Sequence, residues 1–90
     1  MAALDEEQIR LTRGDPAPWG FRIVGGRDFG QPVTVCRVVA RSLAQHAGLR
    51  VGDIIVAVGD RTLAGATHQA VLDAIREEGN NLLLRVVRLV

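Results

Sequence analysis

In the stretch Pro18-Trp19-Gly20-Phe21-Arg22-Ile23-Val24-Gly25-Gly26 a turn runs straight into a strand, with Trp19, Phe21 and Ile23 alternating. A period of two sets these three side chains on one side of a pleated ribbon. Gly20 falls inside that alternation and lets the backbone come close to another group, as a strand-edge site requires. Read alone, the three apolar residues fit a plain core equally well.

The rest of the chain repeats the same grammar of short strands and breaks. Gln8 to Arg13 alternates polar residues with Ile9 and Leu11, and the prolines at 16 and 18 make Gly14–Pro18 a loop. Trp19 to Gly25 is the second strand, and a turn-rich loop from Gly26 to Pro32 leads to a third, Val33 to Val39. Ser42 caps a short helical turn over residues 43–47, ended by Gly48. Asp53 to Val58 is an apolar run of strand length, and Gly59-Asp60 turns it into Arg61-Thr62. Thr67 opens the single long helix, which runs to about Glu78 and stops at Gly79. Glu77 and Glu78 oppose the helix dipole, so its last turn is expected to fray. Leu82 to Arg88 is the final strand. The expected fold is mainly β with two helices: a small, partly open antiparallel barrel or sandwich of five to six strands, capped by one short and one long helix. Residues 1–7 read as a flexible leader, 8–88 as the domain and 89–90 as a tail.

Ninety residues suffice for one domain with a modest core. The net charge is +1, and all 11 basic residues are arginines scattered from Arg10 to Arg88. They read as solvated faces, which argues against nucleic acid as a partner. No apolar run nears the roughly 20 residues that span a bilayer, so no membrane insertion is expected. An acidic first segment lacks the order of a signal peptide, and the lone Cys36 excludes an internal disulfide; both fit a cytoplasmic setting. Cys36 reads as a small, at most half-buried residue. Cys36, His46, Asp60 and His68 supply nucleophile and base types without the spacing of a site, so no enzyme is expected. One cysteine and two histidines make a zinc site improbable, and Gly25-Gly26 lacks the lysine of a phosphate loop. No metal and no cofactor are expected.

On the long helix, His68, Leu72 and Ile75 share one face, while Val71 and Ala74 lie beside it, turned towards the core. Two adjoining apolar sectors cannot both be buried against one sheet, which leaves a cleft between this helix and an exposed strand.

Pro18-Trp-Gly-Phe21, Ala47-Gly-Leu-Arg-Val-Gly-Asp53 and Thr67-His68, in that order, resemble a PDZ domain over roughly residues 8–88. The first is similar to the family's carboxylate-binding loop, usually Gly-Leu-Gly-Phe; the others resemble the turn before its fourth strand and the start of its long helix. Pro-Ala-Pro-Trp-Gly-Phe-Arg-Ile with Gly-Gly-Arg-Asp-Phe is most similar to the N-terminal domains of PDZ–LIM proteins, the ALP, Enigma and ZASP group.

The resemblance implies an adaptor module that takes free C-terminal tails as an added strand. It places the tail carboxylate on the backbone N–H groups of Trp19, Gly20 and Phe21, with Arg13 as the basic residue upstream. The groove would be formed by Phe21, Arg22, Ile23, Val24, Gly25, Cys36, His68, Leu72 and Ile75. Trp19, Phe21, Ile23, Leu72 and Ile75 would line the pocket for an apolar last residue. Trp19 replaces the usual leucine and either narrows that pocket or packs outward. His68 resembles the residue that selects Ser or Thr at the third-last position, since an imidazole nitrogen accepts a hydroxyl hydrogen. The expected ligand is Ser/Thr-X-apolar-COOH, with Cys36, Arg22 or Arg27 tuning the intermediate position. An α-actinin-like partner at the actin cytoskeleton and a monomeric domain follow from the same likeness. The alternative is a scaffold that uses the same strand edge to dimerise or to bind internal motifs.

Overall fold

A computed structural model describes residues 4–89 of the chain. The first strand, β1 (Leu4–Thr12), pairs antiparallel with the last, β6 (Asn81–Leu89), in continuous register from Leu4↔Leu89 to Thr12↔Asn81. Residues 4–7, expected as leader, are therefore strand, and Leu89, expected as tail, closes the ladder; residues 1–3 and 90 lie outside the described residues. Leu4 to Gln8 are all exposed. Backbone pairing along β6, rather than burial, carries the strand this far, and it leaves no periodic signal in the side chains.

Six antiparallel strands form one open sheet, in the order β1-β6-β4-β3-β2, with β2 (Phe21–Gly26), β3 (Gln31–Val38) and β4 (Ile54–Val58). The short β5 (Arg61–Thr62) hangs on β4 through the two-residue turn Gly59-Asp60. With two helices, α1 (Leu43–His46) and α2 (His68–Glu77), this is the mainly β, partly open architecture expected from the sequence. The interior strand β6, between β1 and β4, buries Leu82, Leu84 and Val86 on alternate positions, and Val71 and Ala74 of α2 pack into the same cluster as Val35, Ile55, Leu11 and Trp19. The second strand starts at Phe21, two residues later than expected, because Trp19 and Gly20 pair not with β3 but with the turn around α1.

Both helix starts carry the expected caps: Ser42 Oγ accepts from Gln45 N at 3.1 Å and Thr67 Oγ1 from Ala70 N at 3.2 Å. The last turn of α2 is formed through Glu77, where Arg61 reaches from β5 to pair with the carboxylate, so the expected fraying is not seen. Gly79, at φ 67, turns the chain into β6.

Arg88 departs from the reading of the arginines as solvated faces. Its Nη2 donates to Asp53 Oδ2 at 2.6 Å, and that carboxylate is 2% exposed. Asp53 also accepts from Arg50 N at 2.9 Å, and Arg88 from its side donates to Gly48 O at 3.2 Å. A buried charge is tolerated when it is paired and hydrogen-bonded. Together these bonds fasten the loop between α1 and β4 to β6.

Candidate functional site

β2 ends the sheet path: among the described residues it pairs with β3 alone, and its other edge faces α2. Between them lies an open cleft of about 560 Å³. The structure brings Trp19, Gly20, Phe21, Arg22 and Ile23 from one wall together with His68, Leu72 and Ile75 from the other. Phe21, Ile23, Leu72 and Ile75 are each half-buried, as the second apolar sector of α2 requires. Val24 and Gly25 line an adjoining space of about 430 Å³ with Ile23, Phe29, Gln31 and His68.

The two ends of β2 are built differently. At its start, Gly20 has φ 93, and a Cβ there would lie 2.6 Å from Ser42 Oγ, so only glycine fits this turn. The carbonyls here are engaged: Trp19 O accepts from Ala44 N at 2.9 Å and Gly20 O from Val39 N at 2.8 Å. The N–H groups of Trp19 and Gly20 have no acceptor among the described residues. Two adjacent unspent donors beside an apolar cleft suit an anion.

At its far end β2 is tied to the start of α2. His68 Nδ1 lies 2.8 Å from Gly25 O, His68 N donates to Asp28 Oδ1 at 2.9 Å, and Arg27 N donates to Ala66 O at 2.8 Å. A carbonyl only accepts, so Nδ1 carries the hydrogen, and in the neutral ring Nε2 is left as an acceptor. The Phe29 ring, on the 3-10 turn Arg27–Phe29, meets the imidazole edge to face with centroids 5.8 Å apart.

Two expected site residues stand elsewhere. Arg13 is absent from the cleft lining; its Nε donates to Asn80 Oδ1 at 3.1 Å, Nη2 to Gly79 O at 3.4 Å and Nη1 to Ala17 O. Its guanidinium lies 3.9 Å over the Trp19 ring. With three of its five donors bonded within the protein and its guanidinium stacked on Trp19, Arg13 clamps the loop. Trp19 is 9% exposed and belongs to the core cluster while also lining the cleft, so it does not pack outward on the loop. Cys36 is exposed and lines neither space. Arg22 pairs with Arg37 and Ile23 with Val35, which leaves Cys36 as the extra residue of a bulge. Pro18, of the expected carboxylate-binding loop, lines the cleft, and so does Val39, which was not expected there. Val39 is held there by its N–H, which donates to Gly20 O, a long-range backbone bond with no sequence signal.

A model of the PDZ domain matches residues 8–87. The chain is 43% identical over 81 residues to the fruit-fly (Drosophila melanogaster) PDZ and LIM domain protein Zasp, covering 90% of this chain and 4% of that one. It is 47% identical over 73 residues to human PDZ and LIM domain protein 2, covering 81% of this chain and 21% of the relative. The second PDZ domain of Dlg1 from the choanoflagellate Monosiga brevicollis superposes with a TM-score of 0.82 at 26% identity, covering 91% of this chain and 97% of that one. The chain thus spans a small part of these relatives: 4% of Zasp, 21% of human PDZ and LIM domain protein 2 and 24% of human PDZ and LIM domain protein 1.

Proposed function

Because this chain belongs to the PDZ domain family, a family of protein-interaction modules, we propose that it is an adaptor that binds free C-terminal tails of the form Ser/Thr-X-apolar-COOH. The tail adds as a strand to the open edge of β2, the binding mode PDZ domains exemplify, and main-chain bonds supply affinity while pockets supply choice. One observation carries the reading: the N–H groups of Trp19 and Gly20, residues that line the cleft, are unspent among the described residues. A terminal carboxylate satisfies both at once, with Phe21 beside them. The last side chain then enters the apolar space between Phe21, Ile23, Leu72 and Ile75.

From a carboxylate held at the start of β2, the ligand runs antiparallel to it. The last residue lies opposite Phe21, the penultimate opposite Arg22 and the third-last opposite Ile23. His68 faces that third-last residue across the cleft, and its Nε2 accepts a Ser or Thr hydroxyl hydrogen while Nδ1 is held by Gly25 O. Arg13 acts on the tail only through Trp19, whose backbone it steadies. The likeness to PDZ–LIM proteins extends the proposal to an α-actinin-like tail, a cytoplasmic setting and the actin cytoskeleton. In this reading the domain acts as a monomer; dimerisation through the β2 edge would leave the Trp19 and Gly20 donors without a role.

Titration with one octapeptide tail ending Ser-X-Leu, as free acid and as C-terminal amide, tests the reading. Amidation is expected to cost about a hundredfold in affinity, the scale of two charge-assisted hydrogen bonds at roughly 1.5 kcal/mol each. Equal affinity for the two forms would overturn the anion role of the Trp19–Gly20 loop.

A further inference from the structure

Arg22 and Arg37 stand directly opposite each other on β2 and β3, and both are exposed. Among the described residues neither has an ion-pair partner, whereas Arg61, Arg76, Arg85 and Arg88 each have one. No acidic residue occurs in β2 or β3. Like charges set opposite one another destabilise a sheet, so the fold gains nothing from this pair. It lies on the face of β2 turned away from the core and borders the cleft, which Arg22 helps to line.

We infer that the pair selects an acidic side chain at the penultimate position of the bound tail. The inference rests on the tail-binding reading, which sets the penultimate residue opposite Arg22. Directly opposite residues of an antiparallel pair project to the same face. A row then forms across three strands: penultimate ligand residue, Arg22, Arg37. A carboxylate there relieves the repulsion between the arginines and gains attraction from both. The next outward-facing ligand residue, fourth from the end, lies opposite Val24, which pairs with Thr34. No charge waits for it in that row. The preference is therefore confined to one position.

The experiment uses free-acid octapeptides ending Ser-X-Leu with Asp or Asn at X, and a second pair carrying the same exchange at the fourth-last position. Binding is measured on the unaltered chain and on Arg22→Gln/Arg37→Gln, at low and high salt. Asp at the penultimate position is expected to bind about two- to fivefold tighter than Asn, the scale of an exposed ion pair, and the ratio should shrink with salt. The fourth-last exchange is expected to change little, and the double variant should bring the penultimate ratio to about one, near the floor for exposed pairs. Equal binding of the penultimate Asp and Asn tails by the unaltered chain overturns this inference alone, whether or not the double variant folds. A ratio that survives in a folded double variant overturns it too. Failure of every free-acid tail to bind overturns the tail-binding reading, and this inference with it.

Discussion

The start and the end of β2 are both shaped by glycines at positive φ, yet they spend their backbone groups in opposite ways. At the Gly25–Gly26 end, two carbonyls, a side-chain carboxylate, two backbone N–H groups and the imidazole of His68 close a set of three bonds onto the start of α2. At the Trp19–Gly20 end, the carbonyls are engaged and the adjoining N–H groups are not. One end sets where the helix stands against the sheet; the other keeps donors for something outside the chain. Satisfied backbone is architecture here, and the unsatisfied backbone beside the apolar cleft is what the proposed function assigns to a ligand.

Exchanging the glycines separates the two roles and gives the largest effect. A Cβ at Gly26 would lie 2.6 Å from His68 N and 3.0 Å from its Cα, at φ 130. Neither atom can yield without moving α2. Gly26→Ala is expected to destabilise the domain by about 2–4 kcal/mol, from strained backbone and displaced packing together. Gly20→Ala would clash with the Ser42 side chain, its Cβ included, at φ 93, and should cost a similar amount of stability, about 2–4 kcal/mol. It should nevertheless lose free-acid tail binding out of proportion to that loss. Thermal unfolding and peptide titration on both variants check this; a fall in tail affinity that tracks the stability loss equally in both variants would erase the distinction between the two ends.

The sequence exposed the walls of the cleft because each obeys a period. Phe21 and Ile23 repeat every second residue, and His68, Leu72 and Ile75 lie on one helical face. The likeness to PDZ domains added the direction of the tail. What stayed hidden depends on partners distant in the chain. Arg13 is taken by Asn80 and Gly79, and Arg88 by Asp53; nothing local marks either arginine as engaged. Cys36 faces out because a bulge inserts one residue in β3, and the β1 ladder reaches Leu4 through backbone bonds that side-chain pattern does not report.

A side-chain change at the joined end tests whether that end also governs ligand choice. His68 belongs to the bonded set through Nδ1 and offers Nε2 to the cleft. His68→Ala should weaken a Ser- or Thr-bearing tail by about 1 kcal/mol, one net hydrogen bond, and weaken a tail with Val at that position less. His68→Asn, which keeps polarity but not the reach of the ring, should behave like alanine. Equal losses for the Thr and Val tails would remove His68 from recognition and leave it a purely architectural part of that end.

The smallest effect belongs to Asp28, which never reaches the cleft lining. Its carboxylate accepts from His68 N, the first N–H of α2, and so complements Thr67 Oγ1, which takes the N–H of Ala70. An anion at a helix N-terminus also meets the positive end of the dipole. Asp28→Ala should therefore lower stability by about 0.5–1 kcal/mol, in the range of a lost cap. Asp28→Asn keeps an acceptor and should restore part of it. The bond also fixes where the His68 backbone stands, and with it the reach of Nε2. If the joined end positions the imidazole, the Thr-over-Val preference should narrow in Asp28→Ala and recover in Asp28→Asn. If that preference stays constant while the melting temperature drops, Gly25 O holds the ring without help, and the contrast between the two ends of β2 reduces to a single hydrogen bond.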